Sequence, residues 1–151
     1  MTSRFRVVPA AYVVFRRGDE VLLQLRQNTG YRDGFWATAA AGHVEQDETV
    51  YAAAVREALE ELDVTIAVKD VVPLCGMHRT HGNHDPIDER ADFFFECRRW
   101  SGEPHIMEPV KNAELSWFAL DALPDPVVPH ELYVLERLRS GNLPSIVTFG
   151  F

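Results

Sequence analysis

Cysteine is scarce in this chain: Cys75 and Cys97 are the only two among 151 residues. No C-x-x-C pair can form from them, so a structural zinc site or a dithiol redox centre has no ligand set. Basic residues are also in deficit, 15 against 23 acidic ones, for a formal net charge of −8. Long nucleic-acid backbones are bound through basic surfaces, so this balance excludes nucleic-acid polymers as expected partners. Long apolar runs are missing as well. The N-terminal stretch "VVPAAYVVF" contains a proline and stops at Arg16-Arg17-Gly18-Asp19, too short for a bilayer, and reads as a strand entering a turn. No membrane association is therefore expected. With no signal peptide to read, two free thiols in a reducing cytoplasm is the expected setting.

What is present is one globular domain, expected over residues 1–151, with 46% hydrophobic and 25% charged residues. "AAYVVFRRGDEVLLQLRQ" reads as a β-hairpin, and "NTGYRDGFW" as a loop. A short strand near Thr38 to Ala41 leads to Gly42, and a helix is expected from about Thr49 to Leu62, N-capped by Asp47 or Thr49. "VTIAVKDVVPLCGMHR", "RADFFFECRRW" and "AELSWFAL" read as strands, and "HELYVLERLRS" before Gly141 as a terminal helix. That order implies an α/β domain with a mixed sheet between helices.

The stretch "AGHVEQDETVYAAAVREALEELDV" places six carboxylates between Glu45 and Glu61. On a helical wheel Tyr51, Val55, Ala58, Leu59 and Leu62 fall on one face and are expected to anchor it. Glu57, Glu60 and Glu61 fall nearly opposite, at i, i+3 and i+4. Val50, Ala53 and Ala54 beside them are compact, leaving room for an approaching ligand. Such a cluster can be a solvated helix face, whose repulsion costs only a few tenths of a kcal/mol. It can also be a divalent-metal site, since Mg²⁺ takes hard oxygen ligands and shares them with substrate phosphates.

The surrounding spacing separates the two readings. Gly42, five residues, Glu48, seven residues and Arg56-Glu57-Ala58-Leu59-Glu60-Glu61-Leu62-Asp63-Val64 closely resemble the 23-position signature of the Nudix hydrolases, GX5EX7REUXEEXGU. "RVVPAAYVV", "VLLQLRQNTGYRDGFW" and "ELSWFALDALP" resemble the family too. Asp63 departs from the pattern, standing where the family has Gly; a left-handed residue there costs Asp on the order of 1 kcal/mol. Ala58 is smaller than the usual aliphatic residue. All the signature carboxylates are retained.

The resemblance implies a Nudix-type α/β/α sandwich that hydrolyses the phosphoanhydride of a nucleoside diphosphate linked to another group, using Mg²⁺, with Mn²⁺ as an alternative. It implies Glu57, Glu60 and Glu61 as metal carboxylates, Glu57 as the base, and the Ala41 carbonyl beside Gly42 as a backbone ligand. Arg56 and Glu48 are implied as the ion pair that orients the catalytic set. A further acidic ligand comes from a later loop, and Glu108 is the choice, ahead of Glu114 and Glu96. Arg26 is a phosphate candidate through its planar fork. Trp36, among the aromatics Phe35, Trp36, Trp117 and Tyr133, is a candidate for gripping a base, and His130 and Glu131 for reading its edge. His78, His81 and His84 lie in a polar loop without zinc spacing. The expected substrate is a small nucleotide, with a (d)NTP pyrophosphatase preferred over ADP-ribose or nucleotide-sugar cleavage. A non-catalytic nucleotide-sensing domain is the alternative from another class, and a homodimer is left open.

Overall fold

The computed structural model describes residues 3–151, so the first two residues of the expected domain lie outside the described part. Strand β1 (Val8–Arg17) turns at Gly18-Asp19 into β2 (Glu20–Arg26), with Arg17 paired to Glu20 and Gly18 at φ +60°. The expected hairpin is there. After the loop come β3 (Trp36–Thr38) and β4 (Ala40–His43), two strands where the sequence suggested one, separated by Ala39. Helix α1 (Val50–Leu62) follows, then β5 (Val71–Arg79), β6 (Arg90–Cys97), β7 (Asn112–Ala119), helix α2 (Pro129–Ser140) and β8 (Ile146–Phe149).

The sheet runs β3-β2-β1-β6-β5-β8, with β4 also paired to β1 and β7 to β2. It is mixed: β1 is parallel to β6 and β5 to β8, whereas β5 and β6 are antiparallel. Strand β8 was not anticipated. Only four residues long and alternating exposed with buried, it is completed by pairing with β5, a non-local contact that a short window cannot reveal.

Strand β1 organises the core through its period of two. Ala11, Val13 and Phe15 face α1 together with Ala53, Ala54, Ala58 and Leu62. Ala10, Tyr12 and Val14 face the other way, into clusters that contain Val134 and Leu135 of α2. This is the α/β/α sandwich expected. Cys75 and Cys97 are buried on different faces and unbonded.

The wheel assignment for α1 needs correction. Leu59 is 51% exposed, while Ala53 and Ala54 are fully buried. The two alanines leave no gap for a ligand; their small side chains let the helix lie close against β1 and β4. Thr49, not Asp47, is the N-cap: its hydroxyl accepts from the Ala52 N–H at 3.0 Å. Asp63 closes the helix in the left-handed conformation, at φ 55° and ψ 38°.

The pairing of β1 also makes the cleft. It takes β4 as a neighbour along Ala10–Val13 but β2 only at Arg16–Arg17, so β2 and β4 part above it. Beyond Val21, β2 pairs instead with β3, while β7 runs along its other edge from Glu20 to Arg26. A cavity of about 570 Å³ fills that parting.

Candidate active site

Helix α1 presents Glu57 directly over Gly42 on β4. A Cβ at Gly42 would collide with the Glu57 carboxylate, so the glycine leaves the space the carboxylate occupies. Glu57 is 6% exposed, and burial raises its pKa despite the Arg56 guanidinium beside it.

Arg56 ties loop and helix together. Its Nε and Nη2 donate to the two oxygens of Glu48 at 2.8 and 2.9 Å, a bidentate pair. Nη2 also donates to the His43 carbonyl at 2.9 Å, and Nη1 to Glu57 at 2.7 Å and Glu60 at 3.1 Å. Glu48 in turn accepts the Glu45 N–H at 3.0 Å. The Arg56 hydrogen bonds hold the Glu48 carboxyl down at about 2. Arg56 and Glu48 thus position the Gly42 loop against the helix and fix the Glu57 carboxylate.

Glu61 lines the cavity together with Ala41, Gly42 and Glu108. Its pKa is pushed up to about 7, first by burial and then by the charges of Glu57 and Glu108. Glu108 therefore stands close enough to act on Glu61, and Lys111 sits 3.5 Å from it. Glu114 and Glu96 lie elsewhere: Glu114 is exposed on β7, and Glu96 is paired with Arg16 and Arg98. Glu60 is exposed, bonded to Arg56, and outside the cavity lining.

The donor chemistry here suits a hard divalent cation. Glu57, Glu61, Glu108 and the Ala41 carbonyl offer only oxygen, and the mutual repulsion that raises Glu61 is what a cation would relieve. Among the described residues no three acidic, His or Cys side chains form a ready cage. Mg²⁺ does not need one, because it retains waters and takes substrate oxygens.

The far wall of the cavity is polar and buried. Glu131 accepts the Thr38 N–H at 2.7 Å and carries a pKa raised by burial. Thr38 Oγ1 is buried without a partner, and Gln24 donates to the Thr38 carbonyl at 3.5 Å. His130 contacts the Tyr12 hydroxyl at 3.1 Å, and burial keeps its pKa well down. His130 and Glu131 both line the cavity. So does Arg26, whose Nε donates to the Tyr31 carbonyl at 2.9 Å. Trp36 does not. It packs edge-on against Phe118 within an apolar cluster, because its strand position turns the indole away from the cleft. Of His78, His81 and His84 only His81 lines the cavity, and His78 lies within β5 rather than in the loop, because it pairs with β6 and β8.

Sequence reasoning missed Tyr12, Gln24, Thr38, Arg79, Arg90 and Asn112, all in the lining. Each is a single polar residue within or ending a strand. The only available signal was a polar side chain interrupting an otherwise apolar alternation.

A family model of the NUDIX domain matches residues 5–138. The chain is 32% identical over 120 residues to the NAD-capped RNA hydrolase NudC of Pseudomonas aeruginosa, an alignment covering 79% of this chain and 38% of that protein. It is 29% identical over 133 residues to the NAD-capped RNA hydrolase NudC of Escherichia coli, covering 88% and 46%. The chain thus spans less than half the length of these curated relatives. Among solved structures it resembles a MutT NUDIX hydrolase from Burkholderia pseudomallei at 28% identity and a TM-score of 0.77, over 88% of this chain and 98% of that one. A UDP-X diphosphatase shares the fold at 15% identity and a TM-score of 0.66, over 97% and 69%.

Proposed function

We propose, from the premise that this chain belongs to the NUDIX family of hydrolases, that it is a divalent-metal-dependent (d)NTP pyrophosphatase releasing a nucleoside monophosphate and pyrophosphate. The observation that carries this reading is the Glu57 carboxylate seated over Gly42, fixed by Arg56 and adjoining a cavity that mixes oxygen donors with guanidinium groups.

Glu57, Glu61, Glu108 and the Ala41 carbonyl would hold a divalent cation, Mg²⁺ or Mn²⁺, which would supply neutralisation of the diphosphate charge and a more acidic water. The protein does the rest. Glu57, its pKa raised by burial, takes the proton from the attacking water. Arg56 and Glu48 keep that carboxylate from swinging away. Arg26 offers its fork to phosphate oxygens, and Glu131, Thr38 and His130 offer donors and acceptors to the base. Glu60 stands one helical turn from Arg56 on the exposed side and serves the outer edge of the metal site.

A second reading, cleavage of a dinucleotide pyrophosphate, is favoured by the named activity of the NudC relatives. The net charge of −8 weighs against gripping an RNA body, not against a cap. A broad panel of nucleoside triphosphates, nucleotide sugars and dinucleotides, run with Mg²⁺ and resolved by phosphorus NMR, separates these. Monophosphate plus pyrophosphate from a triphosphate supports the first reading. Diphosphate plus orthophosphate, or turnover of dinucleotides alone, rejects it. Thermal shift without turnover across the panel would indicate a nucleotide sensor.

A further inference from the structure

The ladder between β5 and β6 sets Arg79 directly opposite Arg90. Like charges facing one another across a ladder destabilise it. Both side chains nevertheless line the cavity. Their partners offset only part of that charge. Arg79 Nε donates to Asp92 at 2.6 Å, while its Nη1 meets His81 Nε2 at 3.2 Å. Arg90 Nη1 meets His43 Nε2 at 2.8 Å, and its buried Nε has no partner. A guanidinium can only donate, so both imidazole nitrogens must accept, and both rings are neutral while these bonds hold.

Of the carboxylates near this pair, Asp92 alone is bonded to one of the two guanidiniums. Asp88, also in the lining, reaches His81 Nδ1 at 3.8 Å, and among the described residues no carboxylate pairs with Arg90. Elsewhere the acidic excess of this chain is used: Arg56 meets four glutamates and Arg16 meets Glu96. His43 joins the two ends of the cavity. Its carbonyl accepts from Arg56 beside Glu57, and its ring faces Arg90.

We infer that Arg79 and Arg90 form a second anion subsite, one that holds the terminal phosphates of a nucleoside triphosphate. It sets a preference for substrates whose distal group is a phosphate over those whose distal group is an uncharged sugar. Two adjacent guanidinium forks match the oxygens of a phosphate chain, and a bound anion removes the repulsion the ladder otherwise carries. The neutral histidine nitrogens are weaker acceptors than phosphate oxygens and give way to them. This subsite rests on the nucleotide-pyrophosphatase reading for its substrate, and on the Arg79–Arg90 geometry for its anion.

Arg90→Gln tests it, with Arg90→Lys retaining charge without the fork. Circular dichroism melts confirm that each variant is folded. Arg90→Gln should raise KM for nucleoside triphosphates about tenfold, the scale of a lost charge-assisted contact, with Arg90→Lys intermediate. It should leave KM for a nucleoside diphosphate linked to an uncharged sugar within about twofold. Equal losses on both classes, or none, overturn the subsite. A calorimetric titration with inorganic pyrophosphate in metal-free buffer needs no turnover. Binding by the wild type that weakens about tenfold in Arg90→Gln supports the subsite. Absent binding, or equal binding by both, overturns it. Malonate binding as tightly as pyrophosphate overturns the phosphate preference. If pyrophosphate binds through Arg90 but no triphosphate is hydrolysed, the subsite stands and only the pyrophosphatase reading falls.

Discussion

The two ends of the cavity are built on different plans. At the α1 end, one helix and the loop before it supply Glu48, Arg56, Glu57 and Glu61; the Arg56 guanidinium binds Glu48 and Glu57, and Glu61 lines the cavity beside them. At the α2 end, Tyr12, Thr38, Arg79, Arg90 and Glu131 come from five elements and meet only after the sheet has formed. The first end is rigid in sequence as well as in space. The second is assembled in space alone, from residues far apart along the chain. On the function proposed above, bond cleavage would belong to the first end and the choice of substrate to the second.

Breaking the α1 end should have the largest effect. Glu57→Gln removes the proposed proton acceptor and is expected to cut kcat by about 10²–10⁴ while leaving the melting temperature close to the wild type. Steady-state kinetics with circular dichroism measures both, and near-normal kcat would reassign the base. Gly42→Ala should come next. Its methyl group collides with the Glu57 carboxylate, so either the helix shifts or the side chain swings out. An expected cost of about 1–3 kcal/mol in urea denaturation should accompany a large loss of kcat.

A smaller effect concerns the later loop. Glu108→Gln should raise the Mg²⁺ concentration for half-maximal activity, because one hard ligand and one charge near Glu61 are lost. Unchanged metal dependence would make Glu108 a surface residue, with Lys111 its only partner of consequence.

The smallest effects are in pH dependence, and the two carboxyls should act in opposite directions. Glu48 is held at about 2, below its unfolded value near 4.5, so it stabilises the fold above pH 4.5 and that contribution is lost as pH falls toward 2. Glu48→Gln should flatten the acid limb of the melting curve. Glu61 is raised to about 7, so its ionisation opposes folding, and stability falls as pH rises from about 4.5 through 7. In metal-free buffer Glu61→Gln should therefore raise the melting temperature at pH 8 and leave it unchanged at pH 4. Parallel shifts at both pH values would mean the glutamate is not repelled in the folded state.

These contrasts also explain what could be read before folding. The grouping at the α1 end was legible because its residues are local: a helix of 3.6 residues per turn fixes Glu57 and Glu61 relative to each other wherever it packs. The left-handed Asp63 was legible for the same reason, and the cap was narrowed to Asp47 or Thr49. The facing of the helix was less so. A wheel centred on bulky residues misplaced Leu59, because the contact surface is made by alanines that let the backbone approach. Glu108 was recoverable only as a choice among three glutamates. Arg79 and Arg90 were not recoverable at all: their opposition is a fact of strand register, eleven positions apart along the chain and adjacent only across the ladder. Trp36 failed for a related reason, since nothing local tells a strand residue which face of a three-residue strand meets the cleft.

The central claim is that the carboxylates of α1 and the Glu108 loop gather a divalent cation at the Gly42 end of the cavity. Mn²⁺ binding followed by electron paramagnetic resonance, without substrate, tests it most directly. The wild-type protein should deplete the free Mn²⁺ signal in a saturable titration, and a folded Glu57→Gln, Glu61→Gln double variant should lose that depletion. Equal depletion by both proteins, together with nucleotide turnover that persists in excess EDTA, would contradict the claim.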